Sequence, residues 1–98
     1  MPVEDRILTL HPLGKKGVNI PLSRYNTMRD AVLSILADRY EISYRELGSL
    51  VEERLSGILD GSIPWLMETV KLDLLARGII QKSAGKPVKL KLISGRPL

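Results

Sequence analysis

Basic side chains are concentrated at the C-terminal end of this 98-residue chain, whose formal net charge is +4. Residues 1–81 carry ten Lys or Arg and eleven Asp or Glu, whereas residues 82–98 carry five basic residues and no acid. These five are Lys82, Lys86, Lys89, Lys91 and Arg96. Clustered cations can neutralise the phosphates of a nucleic acid. Because lysines also keep a strand edge solvated and prevent aggregation, both interpretations stay open.

A second pair of lysines, Lys15 and Lys16, lies between Gly14 and Gly17. This run lacks the longer glycine spacing and the Lys-Ser/Thr ending of a phosphate-binding loop. We therefore predict a turn that presents two lysines to solvent. Both remain candidates for contact with a nucleic-acid backbone.

Residues that could carry catalysis or hold a metal ion are sparse. His11 is the single histidine and precedes a proline, and the chain has no cysteine. We therefore expect neither a metal site nor a histidine general base. Glu52 and Glu53 are neighbours on a predicted helix, so they do not face each other as a catalytic pair would. No serine has the context of a nucleophile elbow. We expect a protein that is not an enzyme and needs no cofactor.

Two helices are predicted in the first half of the chain. Apolar residues at helical spacing indicate the first over residues 22–39. The second begins after Ser43, because Ser43 and Glu46 have the spacing of a capping box. Residues 57–61 follow it as a connection, beneath which Ile58 is expected to pack. Leu59 is expected to do the same.

A third helix and a hairpin are predicted in the second half. Ser62 is a candidate N-cap, and the helix runs to Arg77 because Gly78 stops it. The hairpin spans residues 79–92. In its second strand Val88, Leu90 and Leu92 alternate with Lys89 and Lys91. This alternation is typical of a strand with one buried face.

The whole chain, residues 1–98, is expected to form one domain, with a core over residues 6–93 and a loose tail at 94–98. Its class is α+β and mainly helical, with a short N-terminal strand, three helices and a C-terminal two-stranded hairpin. Residues 7–10 are the predicted strand. No run is apolar and long enough for a membrane span, and the acidic N-terminus is unlike a secretion signal, so we expect a cytoplasmic protein.

The third helix has two apolar stripes. Ile63, Met67, Val70 and Leu74 form the core stripe, with Leu66 at its edge. Trp65, Leu72 and Ala76 form a second stripe, with Leu75 to one side. The N-terminal segment of the same chain could cover this second stripe, or a second chain could cover it. In the second case the alternative function is formation of a homodimer or binding of a protein partner. The residues expected to stay exposed are Glu68, Thr69, Lys71 and Asp73.

An apolar helix ending in residues 76–80, followed at once by an amphipathic hairpin, resembles the third helix and wing of winged-helix proteins. The resemblance spans about residues 22–93, and residues 69–78 with 14–20 are similar to a small family of uncharacterised bacterial proteins. The winged-helix resemblance implies duplex DNA binding, with the third helix in the major groove and the wing on the backbone. Thr69 and Lys71 would then join the lysines as DNA contacts. Arg, Asn and Gln make most specific contacts to bases, and none of them is among the residues expected to be exposed on this helix. We therefore expect the helix to recognise DNA sequence poorly.

Overall fold

The computed structural model describes residues 5–93. In chain order the elements are β1 (Arg6–Leu8), β2 (Asn19–Pro21), α1 (Leu22–Asp38), β3 (Ile42–Ser43), α2 (Tyr44–Leu55), α3 (Ile63–Ala76), β4 (Ile80–Lys82) and β5 (Lys89–Leu92). Three helices and two small antiparallel sheets confirm the expected α+β class. The predicted tail, residues 94–98, lies outside the described residues.

The predicted helix starts are confirmed. Oγ of Ser43 accepts a hydrogen bond from the N–H of Glu46 at 3.1 Å, and Oγ of Ser62 accepts one from the N–H of Trp65 at 3.2 Å. Each bond satisfies an N–H group that has no partner within its helix. Gly78 follows α3 with a φ of +73°, a conformation that glycine adopts without steric cost.

The N-terminal strand is one half of a hairpin, which the sequence analysis did not anticipate. β1 pairs with β2 in antiparallel register, with Ile7 opposite Ile20. We call residues 6–21 the N-terminal hairpin. Its loop is closed at Thr9, whose N–H donates to the carbonyl of Val18 while its Oγ1 accepts from the N–H of Val18, both at 2.9 Å. A strand of three residues shows too little alternation for its sequence to reveal it.

The second sheet has the strand order β3–β5–β4. Its outer strand β3 has two residues and was not predicted. Ile42 lies opposite Leu90, and both are buried, whereas Lys89 lies opposite Ser43 on the other face. We call residues 80–92, which contain β4, β5 and their connection, the C-terminal hairpin. The prediction for Val88 was wrong, since it precedes β5 and is exposed.

Aliphatic side chains from all three helices and the second sheet form the core. The largest fully buried ones are Met28, Leu36, Leu47, Leu66, Leu74, Ile80 and Leu90. The connection between α2 and α3 contributes less than predicted. Leu59 is half-buried against the core, but Ile58 is exposed, so its expected burial was wrong.

Candidate functional site

The C-terminal hairpin presents four lysines and contains no acidic residue of its own. Lys82 and Lys86 are exposed, and Lys89 and Lys91 are half-buried on the sheet face that points away from the core. Among residues 5–93, no carboxylate lies within 4.0 Å of any of these four ammonium groups. Their charge is therefore available to an anionic ligand.

Several cations of the helical body are neutralised by neighbouring acids. The ion pairs are Arg24–Asp60 at 2.9 Å, Arg29–Asp30 at 3.0 Å, Arg39–Glu46 at 3.8 Å, Lys71–Glu68 at 2.9 Å and Arg77–Asp73 at 2.8 Å. Arg45 and Arg54 of α2 also lack such a pair among residues 5–93, but the C-terminal hairpin combines four unpaired cations with no acid.

The loop of the N-terminal hairpin lies beside the C-terminal half of α3. Lys15 and Lys16 are exposed and line a shallow hollow together with Leu10 and Ala76. A neighbouring hollow is lined by Pro12 of the same loop, by Leu75 of α3 and by Lys82. The fold therefore brings the loop with Lys15 and Lys16 and the strand with Lys82 to the same end of α3.

The expected exposure of Thr69 and Asp73 was wrong. Thr69 is 8% exposed and Asp73 is 0% exposed. Helix α1 packs against α3, and the N-terminal hairpin reaches α3 at Asp73. The N–H of Leu10 donates to Oδ1 of Asp73 at 2.8 Å, and the hydroxyl of Tyr25 donates to Oδ2. Thr69 is therefore too deeply buried to contact a ligand at the protein surface.

Asp73 is a polar centre of the interior, which the sequence pattern did not predict. Its Oδ2 also accepts a hydrogen bond from Nε of Arg77 at 2.8 Å. Burial, together with the hydrogen bond to the Asp73 carboxylate, raises the pKa of Tyr25 to about 12. The same carboxylate raises the pKa of Arg77 through its hydrogen bond. A helical wheel places Asp73 next to the buried Leu66, and this position was the one signal in the sequence that could have predicted its burial.

Lys71 is held within a small cluster on the protein. Its side chain is only 13% exposed, and its Nζ lies 2.9 Å from Oε1 of Glu68 and 4.2 Å from the ring centroid of Tyr44. Burial would raise the pKa of Glu68, but the Tyr44 phenol and the Lys71 ammonium outweigh it and lower that pKa. Burial and the adjacent carboxylate raise the pKa of Tyr44. The charge of Lys71 is therefore already compensated.

The second apolar stripe of α3 is only partly covered. Trp65 is 51% exposed, while Leu72, Leu75 and Ala76 are half-buried. The N-terminal segment reaches α3 at Asp73 and near Ala76. Trp65, at the opposite end of the helix, keeps about half of its surface in solvent.

These observations define a small α+β domain with a basic C-terminal hairpin beside its third helix. The chain belongs to a family of unknown function, DUF6958, whose model matches residues 6–90. No curated protein matches the chain.

Among residues 5–93, no group of three or more His, Cys, Asp or Glu side chains could hold a metal ion. Over the same residues, no helix has the length and apolar character needed to cross a bilayer.

Proposed function

We propose that this domain is a winged helix that binds the phosphate backbone of duplex DNA through its C-terminal hairpin. The observation that carries the proposal is a set of four hairpin lysines that lack ion pairs among residues 5–93, namely Lys82, Lys86, Lys89 and Lys91. Because DNA phosphates are neutralised by such cations, their attraction supplies sequence-independent affinity. Lys15 and Lys16 lie at the same end of α3 as Lys82 and add two further exposed cations there.

The order of the elements supports the winged-helix assignment. A short strand, β3, stands between α1 and α2, and a hairpin follows α3. The strand order β3–β5–β4 joins that short strand to the hairpin. This pairing supports our interpretation of the hairpin as a wing. In winged-helix proteins, the third helix and the wing approach DNA together.

The exposed face of α3 supports contact with the backbone rather than with base edges. Trp65 and Leu72 lie on this face, and Lys71 is paired with Glu68. None of these offers the bidentate hydrogen bonds that Arg, Asn or Gln make to bases. We therefore propose binding with weak sequence specificity.

The test is a titration of a labelled short duplex, followed by fluorescence anisotropy. If four lysines each contact a phosphate, affinity should fall roughly 100-fold between about 50 mM and about 200 mM salt. The double variant Lys89→Ala with Lys91→Ala should reduce the slope of log K against log salt by about 2. A control with Arg45→Ala and Arg54→Ala removes two exposed charges of α2 that also lack ion pairs among residues 5–93, and it should change the slope little. No binding near 50 mM salt, or a slope unchanged in the hairpin variant, would overturn the proposal.

A second candidate function is self-association through the outer face of α3. The half-exposed Trp65, with Leu72 on the same side of the helix, favours it. Burying such a surface against a second copy removes apolar area from water. Light scattering after size-exclusion chromatography tests this candidate. A dimer that becomes a monomer in Trp65→Ser supports self-association, and a wild-type monomer at every concentration excludes it.

A further inference from the structure

One aromatic side chain lies in solvent beside the lysines of the C-terminal hairpin. Tyr40, in the connection between α1 and β3, is 80% exposed, so packing in the core does not account for its position. Nζ of Lys91 lies 5.6 Å from the centroid of its ring. This distance is within the range of a cation–π interaction, which orients the ring and the ammonium group toward each other.

The charges around Tyr40 are arranged unevenly. Lys91 and Lys89 lie on the same outer face of the second sheet, and neither has an ion pair among the described residues. Asp38 and Glu41 are the acids nearest to the tyrosine along the chain. An anion that reaches this ring would be attracted by the ammonium group of Lys91 beside it.

An exposed aromatic ring beside cations matches the chemistry of an unpaired nucleotide. The flat face of a base stacks on an aromatic ring, and its phosphates are attracted to neighbouring lysines. In an intact duplex the bases stack on one another and leave no face free. A ring that stacks on bases would therefore select single-stranded over double-stranded nucleic acid.

We propose that Tyr40, Lys89 and Lys91 form a binding site for single-stranded nucleic acid, in which a base stacks on Tyr40 and phosphates contact the two lysines. This inference rests on the proposed function, because it uses the same lysines. The site adds an aromatic contact that duplex binding does not need. Its preferred ligand is a single strand.

The experiment measures the affinity of the full chain for a labelled oligothymidylate of about 12 nucleotides and for a labelled duplex. Tyr40→Ala should weaken binding of the single strand about 5- to 150-fold, the loss that removal of one base-stacking contact produces. Tyr40→Phe keeps the ring and should bind the single strand like the wild type. Duplex affinity should change less than about two-fold in both variants, because no base stacks on the ring there.

The outcomes separate the two proposals. If Tyr40→Ala binds the oligothymidylate as well as the wild type does, the stacking site is overturned, while duplex binding through the lysines stands. An equal loss for duplex and single strand would also overturn it. If the wild type binds neither nucleic acid near 50 mM salt, both proposals fail. Because Tyr40 is exposed, its replacement should leave the unfolding temperature unchanged, and circular dichroism verifies this.

Discussion

The phenol of Tyr25 in α1 donates a hydrogen bond to the buried carboxylate of Asp73 in α3. The N–H of Leu10 and the Nε of Arg77 also donate to this carboxylate, each at 2.8 Å. A buried carboxylate is costly unless hydrogen bonds replace its lost water. Asp73 therefore links the N-terminal hairpin, α1 and α3 at one point, and its donors should be coupled to the stability of the whole domain.

Tyr25→Phe should destabilise the domain by about 1–3 kcal/mol, because it leaves a buried carboxylate with one donor fewer. Urea unfolding followed by far-UV circular dichroism measures the change. Tyr40→Phe removes a hydroxyl from an exposed tyrosine and serves as the matched control, with an expected change of less than about 0.5 kcal/mol. Equal stability of Tyr25→Phe and the wild type would show that the hydrogen bond contributes nothing.

Gly17→Ala should disrupt the N-terminal hairpin. A Cβ added at Gly17 would lie 1.6 Å from the carbonyl oxygen of Thr9. The backbone fixes the positions of both atoms, so no side-chain rotation relieves the clash. The hydrogen bonds between Thr9 and Val18 would have to break. We therefore expect the free energy of unfolding, measured in urea, to fall by more than about 2 kcal/mol.

Gly48→Ala makes the same chemical change in α2 and should have the opposite effect on stability. Its added Cβ would contact Sδ of Met67 at 3.8 Å, an ordinary van der Waals distance. Because alanine favours the helix over glycine, we expect a gain of about 0.5–1 kcal/mol. If both glycine variants lost stability equally, the close approach at Gly17 would not be the cause of its effect.

Replacing Glu68 should change how stability depends on pH. The folded protein lowers the pKa of Glu68, so its carboxylate stabilises the fold above the ordinary value of 4.5 and loses this effect as pH falls through the folded pKa. Glu68→Gln should therefore be less stable than the wild type at neutral pH, and the difference should shrink as the pH falls below the ordinary value of 4.5. Urea midpoints across this range test the sign. In a Lys71→Met background the difference should shrink, since the main cationic partner is gone.

The helix starts were predictable because their causes are local. The side chains of Ser43 and Ser62 each bond to an N–H three residues later, a contact that follows from sequence spacing alone. The alternation of Leu90 with Lys89 and Lys91 was likewise sufficient to assign the faces of β5. By contrast, β3 is two residues long, and only its pairing with β5 makes it a strand.

The basic candidate site was predictable in part. The sequence alone located the charge on Lys82, Lys86, Lys89 and Lys91, because the segment from residue 82 onward contains no acid. It did not indicate that Tyr40 lies over Lys91, since the two residues are far apart in the chain and meet only through the second sheet.

The sequence by itself determined the helical segments, the amphipathic second strand of the C-terminal hairpin and the position of the basic residues, because capping, periodicity and composition are local properties. Only the tertiary structure decided which side chains of α3 reach solvent. Periodicity marks one apolar face, but Asp73 is buried because Leu10, 63 residues away, folds back against it. Burial depends on such distant contacts, and for this reason the prediction failed at Thr69 and Asp73 and held at Leu74.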